Sequence, residues 1–345
     1  MISQRENRWV RRWLISGVIL IMAMVVIGGV TRLTHSGLSM VEWKPIMGTL
    51  PPLNHAQWET AFQKYRQYPE FKTFNSNMTL SGFKAIFFWE YLHRTVGRLT
   101  GLVFFIPLII FWVKKWIRPH LWRRLGWITL VGLLQGFAGW TMVKSGLVDR
   151  PDVSHFRLAL HLVLAVSLLT LVFRACLNEI KVVQPNARNP IRMRWLRITQ
   201  VIVGIQIIYG AFTAGLDGGI GYNTFPLMNG HLLPAGFGAL SPWWMNLVNG
   251  PHGIQFIHRT IGWIILFLIV GQGVYFLRRV TSETEKRLEL ALIFWVVAQF
   301  SLGVMTLLFV VPVSVAALHQ LGAMILWLLL QTGEWHQKVY LGGHD

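Results

Sequence analysis

Four histidines of this 345-residue chain lie inside long apolar stretches, where an ionisable side chain is costly to bury. They are His93, His161, His258 and His319. Such side chains usually face the interior of a helix bundle and carry function, although any single one could instead make an interhelical hydrogen bond. Two facing imidazoles in a helical bundle can bind haem iron from both sides. Zinc fits less well, because it requires three or four ligands, with carboxylate or thiolate nearby.

The neighbours of two of these histidines are repeated. Gly97 and Gly262 each lie four residues after a histidine, where a missing side chain admits a flat macrocycle or another helix. Arg94 and Arg259 each follow a histidine directly. Each arginine could pair with a haem propionate, or its side chain could extend to the lipid headgroups.

One acidic residue distinguishes the two histidine motifs. Glu90 lies three residues before His93, whereas the matching position before His258 is the neutral Gln255. A carboxylate there could move protons or stabilise a developing cation, or it could be an interfacial acid without chemistry. The first motif also has longer outer loops, including residues 144–154. We expect a substrate site in the first half and a permanent cofactor in the second.

The elements that hold these residues are apolar spans. Hydrophobic residues make up 53% of the chain and charged residues 13%, against about 25% charged in an average globular protein. We predict an all-α integral membrane protein with eight transmembrane helices, the last two separated by a tight break around Pro312. The predicted spans are Trp13–Thr31, Ala85–Val113, Leu125–Val143, Phe156–Cys176, Trp195–Gly215, Gly253–Leu277, Leu288–Val311 and Val313–Thr332. No cleavable signal peptide is expected, and the single cysteine, Cys176, excludes an intramolecular disulfide.

The distribution of positive charge predicts the orientation. With the N-terminus cytoplasmic, 20 of the 32 Lys and Arg residues fall on the inner side, and the outer loop Leu216–Pro251 contains none. Eight spans then place the C-terminus in the cytoplasm as well, and all four histidines lie near the outer ends of their helices. The net charge of +18 is therefore a topology signal, and it does not indicate nucleic-acid binding.

The outer loop 33–84 is predicted to contain a further helix over His55–Phe71. Trp58, Phe62 and Tyr65 lie on one side of it, which suits an amphipathic helix on the membrane surface. An ordinary solvated loop helix is the equal alternative.

Several segments occur twice in the same order. HRTVG at 93–97 returns as HRTIG at 258–262, GGVTRL and PIMGTLPP are echoed by GAFTAG and PLMNGHLLP, and ALHLVLA is echoed by ALHQLGA. We therefore predict two four-helix halves, residues 1–180 and 181–345. Because each half has an even number of helices, the halves insert in the same direction, as a pseudo-two-fold pair of bundles with two equivalent internal sites.

The segments GGVTRLTHSGLSMVEWKPIMGTLPP, FFWEYLHRTVGRLTG, DVSHFRLALHL, QFIHRTIG and ALHQLGA resemble the haem A synthase family over nearly the whole chain. The resemblance implies an oxidoreductase that oxidises the C8 methyl group of haem O to a formyl group. It does so by two successive hydroxylations, through haem I, and the product haem A serves cytochrome c oxidase. The absence of a cysteine pair in the first outer loop is similar to the branch found in proteobacteria and mitochondria, so we expect a bacterial inner-membrane protein.

The resemblance also implies the roles of individual residues. His258 and His319 would be the axial ligands of a haem b iron, while His93 and His161 would bind the iron of the substrate haem O, with Glu90 as the functional acid. His155 is a weaker candidate ligand. The implied partners are membrane lipid, a haem O synthase and an unidentified electron partner, and self-association stays open.

Two other functions fit parts of this pattern. A diheme b-type electron carrier linked to quinone would use the same four histidines, but it would need neither Glu90 nor a long first loop. A transporter could use internal histidines to relay protons.

Overall fold

A computed structural model describes residues 4–41, 50–146, 153–180, 189–280 and 282–338. Within these ranges the secondary structure consists of helices, together with one isolated bridge between Met228 and His231. The helices are α1 (Gln4–Leu33), α2 (His55–Tyr65), α3 (Pro69–Phe74), α4 (Leu80–Val113), α5 (Pro119–Gly146), α6 (His155–Asn178), α7 (Pro190–Gly215), α8 (Met245–Val248), α9 (Pro251–Leu277), α10 (Glu283–Leu308) and α11 (Val313–Lys338).

Eight of the described helices are long and apolar enough to cross a membrane. They are α1, α4, α5, α6, α7, α9, α10 and α11, in the predicted order, so the all-α class and the eight spans are confirmed.

Several helices begin earlier than the apolar pattern predicted. α4 starts at Leu80, where the Thr79 hydroxyl accepts a hydrogen bond from the Gly82 amide at 3.3 Å. α7 starts at Pro190, where the Asn189 side chain accepts from the Arg192 amide at 3.0 Å. Hydropathy marks the apolar part of a helix, whereas capping side chains set where its hydrogen-bond ladder begins.

The predicted end of the seventh span at Val311 is wrong, because α10 ends at Leu308. Val310 and Val311 follow with φ angles of 58° and 59°. This left-handed region is unfavourable for a β-branched residue. The turn before α11 therefore starts in the two valines and not at Pro312.

The described residues 50–79 of the first outer loop hold two helices in place of the single predicted one. Pro69 begins α3, and the chain turns between α2 and α3. The aromatic face of α2 packs against the start of α4: the Phe62 ring lies 5.1 Å from Phe83, and the Trp58 ring lies 5.0 Å from Phe87. The aromatic face is therefore buried on α4, and the choice between a membrane-surface helix and a solvated loop helix stays a prediction.

Tyr65, the last residue of α2, packs beside these aromatic rings. Its hydroxyl donates to Glu70 at 3.1 Å and accepts from Asn75 at 2.7 Å. Burial, together with the nearby Glu70 carboxylate, raises the pKa of the Tyr65 phenol well above its usual range. The phenol therefore stays neutral and can act as the donor to Glu70.

The chain divides into two compact units, Met1–Leu169 and Thr170–Asp345, and the division falls inside α6. In the first unit α1 packs along α4, where the Trp13 indole donates to the Val103 carbonyl at 2.9 Å. In the second unit the Trp295 indole of α10 donates to the Gly322 carbonyl of α11 at 2.8 Å. Residues 45–49 of the repeated PIMGTLPP segment and most of the 144–154 loop lie outside the described residues.

Candidate functional site

The two second-half histidines face each other. His258 on α9 and His319 on α11 have ring centroids 6.4 Å apart, with ring planes at 83°. Two imidazoles that share one metal ion, each through a bond of about 2 Å, place their centroids roughly 6 Å apart. The separation therefore fits two axial ligands on opposite faces of one haem iron.

Hydrogen bonds orient His319 for this role. The Gln299 amide on α10 donates to the His319 carbonyl at 2.8 Å, and His319 Nδ1 lies 3.2 Å from the Gln299 carbonyl oxygen. We assign the Nδ1 proton to that carbonyl, although Gln299 Nε2 is also 3.1 Å away. This tautomer leaves the lone pair of Nε2 for a metal, as in most histidine ligands.

His258 is held through its backbone. The Gln206 amide on α7 donates to the His258 carbonyl at 2.9 Å. His258 Nδ1 is buried without a hydrogen-bond partner among the described residues. Buried polar atoms normally have a hydrogen-bond partner. The unpaired Nδ1 therefore indicates that this ring can contact a further group.

Two glycines make room for these rings. A Cβ atom on Gly210 of α7 would lie 3.3 Å from the His258 ring, and one on Gly303 of α10 would lie 2.8 Å from the His319 ring. Real Cβ atoms rarely approach other atoms so closely. Each imidazole is therefore packed against the bare backbone of a neighbouring helix.

The first half repeats this packing around His93 and His161. A Cβ on Gly28 of α1 would lie 3.1 Å from His93 Nε2, and one on Gly139 of α5 would lie 3.0 Å from the His161 ring. Among the described residues these two imidazoles do not make the direct ring contact that His258 and His319 make. Gln135, in the position of Gln299, has its amide nitrogen 3.4 Å from His161 Nε2.

The GGVTRL and GAFTAG segments predicted a repeat but no role for their glycines. A further match, QGFAG with QFSLG, supplies the glutamine and the glycine beside the fourth-helix histidine of each half and was not predicted. Both signals were present in the repeat, but only the contacts show which of its residues touch the histidines.

Glu90 lies in a fully connected polar site. It is 3% exposed, and one carboxylate oxygen accepts from the Ser39 hydroxyl and the Met40 amide, each at 2.7 Å. The other oxygen pairs with Arg94, whose guanidinium also donates to the Met40 carbonyl at 3.0 Å. Glu90 therefore ties the segment after α1 to the helix that carries His93.

The second half makes the corresponding contacts without a carboxylate. The Gln255 amide donates to the Tyr222 carbonyl at 3.0 Å, and Arg259 donates to the Tyr222 and Thr224 carbonyls at 2.5 and 2.9 Å. Tyr222 follows α7 at the same distance in sequence as Met40 follows α1. Both arginines thus hold the segment after the first helix of their half, and their predicted contact with propionates stays a prediction.

The remaining predicted residues lie close to these pairs. Gly97 faces Met24 on α1, and Gly262 faces Gln206 on α7, so both serve helix packing. His155 begins α6, and its buried ring lies 4.1 Å from the ring of Phe156. Its participation in the first site stays a prediction.

The two halves differ at the positions that carry Trp263 and Phe300 in the second half. In the second half the Trp263 ring packs 4.6 Å from Phe300 and 5.7 Å from Phe225. The repeat places Arg98 where Trp263 stands and Gly136 where Phe300 stands. A Cβ on Gly136 would have no described atom within 4 Å, and Arg98 Nη1 is buried without a partner among the described residues.

Comparisons with known proteins match these observations. A family model described as COX15-CtaA, cytochrome oxidase assembly protein, matches residues 11–331. The chain is 43% identical to a heme A synthase of Nitrosospira multiformis, over 91% of this chain and 89% of that protein. It is 41% identical to one of Chelativorans sp., over 96% and 92% of the two chains, and 42% identical to one of Flavobacterium psychrophilum, over 93% and 96%.

Proposed function

This chain belongs to the COX15-CtaA family of cytochrome oxidase assembly proteins, and from that premise we propose distinct functions for its two histidine pairs. The protein is a multi-pass bacterial membrane oxidoreductase that catalyses the haem A synthase reaction. It oxidises the C8 methyl group of haem O to a formyl group by two hydroxylations, through haem I. We assign the substrate to His93 and His161 and a resident haem b to His258 and His319.

The observation that carries this division is the unequal filling of two otherwise similar sites. Trp263, Phe300 and Phe225 pack the space beside the second pair, which suits a cofactor that stays bound. Two matching positions of the first half carry Arg98, with a buried unpaired guanidinium nitrogen, and Gly136, whose Cβ would meet no described atom within 4 Å, while the counterpart of Phe225 lies outside the described residues. A substrate that must enter and leave, and that carries carboxylates, requires such features.

In the second half the chain's own residues fit a bis-histidine haem. The ring separation of 6.4 Å and the assigned tautomer of His319 both suit axial ligation. Gly210 and Gly303 keep the two rings in place by close backbone contact. When bound there, haem b would supply one-electron transfer.

In the first half Glu90 is the residue best placed to handle protons. It stands one helical turn from His93 and is connected through Arg94, Ser39 and the Met40 amide to the segment after α1. Oxidation of a methyl group to a formyl group removes two hydrogens from the carbon. A nearby group that accepts protons assists this reaction. The matching Gln255 cannot serve in this way.

The orientation and the symmetry are proposed from the sequence pattern: both termini are cytoplasmic, and the two four-helix halves are related by an axis along the membrane normal. The partners are proposed from the family resemblance: a haem O synthase delivers the substrate, and an unidentified partner exchanges electrons.

Pigment analysis of purified variants tests the division of roles. The protein is produced with and without a haem O synthase, and its pigments are extracted and separated by chromatography. His93→Ala and His161→Ala should keep haem b and lose haem A, whereas His258→Ala and His319→Ala should lose haem b. His231→Ala, which changes an exposed loop histidine, is the control and should behave as wild type.

The alternatives give different pigments. A diheme electron carrier would return only haem b from wild-type protein, with two equivalents per chain. A transporter would be colourless. Normal haem A from His93→Ala and His161→Ala would show that the first pair is not the substrate site.

A further inference from the structure

A second polar site lies at the far end of the helices from the histidines, within the second unit. Arg174 near the end of α6, Arg197 near the start of α7 and Glu334 near the end of α11 meet around an open cleft. Both arginines pair with Glu334, which is buried, and Arg197 does so at 3.3 Å. Two guanidinium groups therefore share one carboxylate at the mouth of this cleft.

Arg197 is the exposed cation of the cluster. Its side chain is 54% exposed, and only its Nε contacts Glu334. Its two terminal nitrogens have no hydrogen-bond partner among the described residues. They can therefore donate together to a ligand outside the protein. A guanidinium fork of this kind matches the geometry of a phosphate or a carboxylate.

The cleft continues from the arginines along an apolar floor. Val201 and Gly204 follow Arg197 on the same face of α7, about 10 Å along the helix axis. Trp327 of α11 lines the opposite side, and a Cβ on Gly204 would lie only 3.9 Å from its ring. The Trp327 indole is fixed by its hydrogen bond to the Thr170 hydroxyl at 2.8 Å.

We propose that this cleft binds one anionic phospholipid, with its phosphate on Arg197 and one acyl chain along Val201, Gly204 and Trp327. The lining of the cleft matches a phospholipid, because it is cationic at the helix ends and apolar toward the middle of the spans. These helix ends flank the basic connection between α6 and α7, which the charge distribution places on the cytoplasmic side, where anionic lipids are found. The proposal does not depend on the assignment of the haem sites.

Native mass spectrometry of detergent-purified protein tests the proposal, with phosphatidylglycerol and phosphatidylcholine as the added lipids. Wild-type protein should retain one phosphatidylglycerol in preference to phosphatidylcholine. Arg197→Gln should lower the affinity about fivefold, since one cation near a lipid phosphate has roughly this effect. Arg194→Gln, which removes an equally exposed charge three residues earlier on α7, should leave it unchanged.

A second variant tests the acyl-chain part without altering charge. Gly204→Leu fills the cleft beside Trp327 and should also weaken phosphatidylglycerol binding, while an unchanged haem b spectrum shows that the protein is folded. Equal retention of both lipids, or an equal effect of Arg194→Gln, would overturn the proposal. Displacement of the lipid by millimolar inorganic phosphate would show a simple anion site and would also contradict it.

Discussion

Glu90 and Gln255 occupy matching positions, yet their hydrogen bonds differ in kind. Glu90 accepts from the Ser39 hydroxyl and the Met40 amide, whereas Gln255 donates to the Tyr222 carbonyl. Each side chain thus connects the segment after the first helix to the second. Only the carboxylate can also take up a proton, so this position is one of the chemical differences between the two halves.

Replacement of this acid by its amide should abolish the reaction with little effect on the fold. Glu90→Gln should retain haem b and lose most haem A, because general acid–base assistance is worth about 10²–10⁴-fold in rate. The measurement is haem extraction and chromatography. Gln255→Glu is the reciprocal control and should still make haem A. Normal haem A from Glu90→Gln would remove the acid from the mechanism.

The glycine contacts of the histidines give a second prediction at this scale. Gly303→Ala places a methyl group 2.8 Å from the His319 ring, so the imidazole must move. The variant should lose haem b or show a distorted low-spin spectrum. Gly271→Ala on α9 is the matched control, because its Cβ would have no described atom within 4 Å. Identical spectra for the two variants would contradict the proposed contact.

At the scale of elements, α4 and α5 differ from α9 and α10 in how they pack beside their histidines. The Trp263 and Phe300 rings bring α9 and α10 together at 4.6 Å. The same positions on α4 and α5 carry Arg98 and Gly136. The first pair of helices is thus not joined by the aromatic packing that joins the second, and a Cβ on Gly136 would meet no described atom within 4 Å.

A phenylalanine at position 136 should make the packing of the first half resemble that of the second. Gly136→Phe is expected to block haem O binding, so that haem A is lost while haem b remains. Gly136→Ala adds only a methyl group into open space and should stay active. Haem O is added to the detergent-purified variants, and its binding is monitored by absorption spectroscopy. This measurement separates failure to bind from failure to react. Full haem O binding by Gly136→Phe would show that the space serves another purpose.

For the whole molecule, the eight spans require both termini on the same side of the membrane. A reporter fused after Lys338 should be cytoplasmic, and one inserted in the 216–250 loop should be periplasmic. The reason is that 20 of the 32 basic residues lie on one side and none lie in that loop. A periplasmic C-terminus would overturn the proposed orientation and the shared depth of the four histidines.

The sequence by itself determined the class of this protein, its spans, its repeat and its four histidines. These follow from local properties, because the hydropathy of a stretch decides whether it crosses a bilayer and an ionisable residue within it is conspicuous. The HRTVG and HRTIG segments predicted two equivalent sites from the repeat alone. The helix ends were less accurate, since the caps at Thr79 and Asn189 lie outside the apolar stretches.

Only the tertiary structure decided which side chains meet. The 6.4 Å separation of His258 and His319, and the close approach of Gly303, depend on the rotation and distance of neighbouring helices, which no single segment specifies. The same holds for Glu90, whose partners Ser39 and Met40 lie about fifty residues away in sequence. The contrast between Phe300 and Gly136 acquired meaning only when contacts showed that one fills a space that the other leaves open.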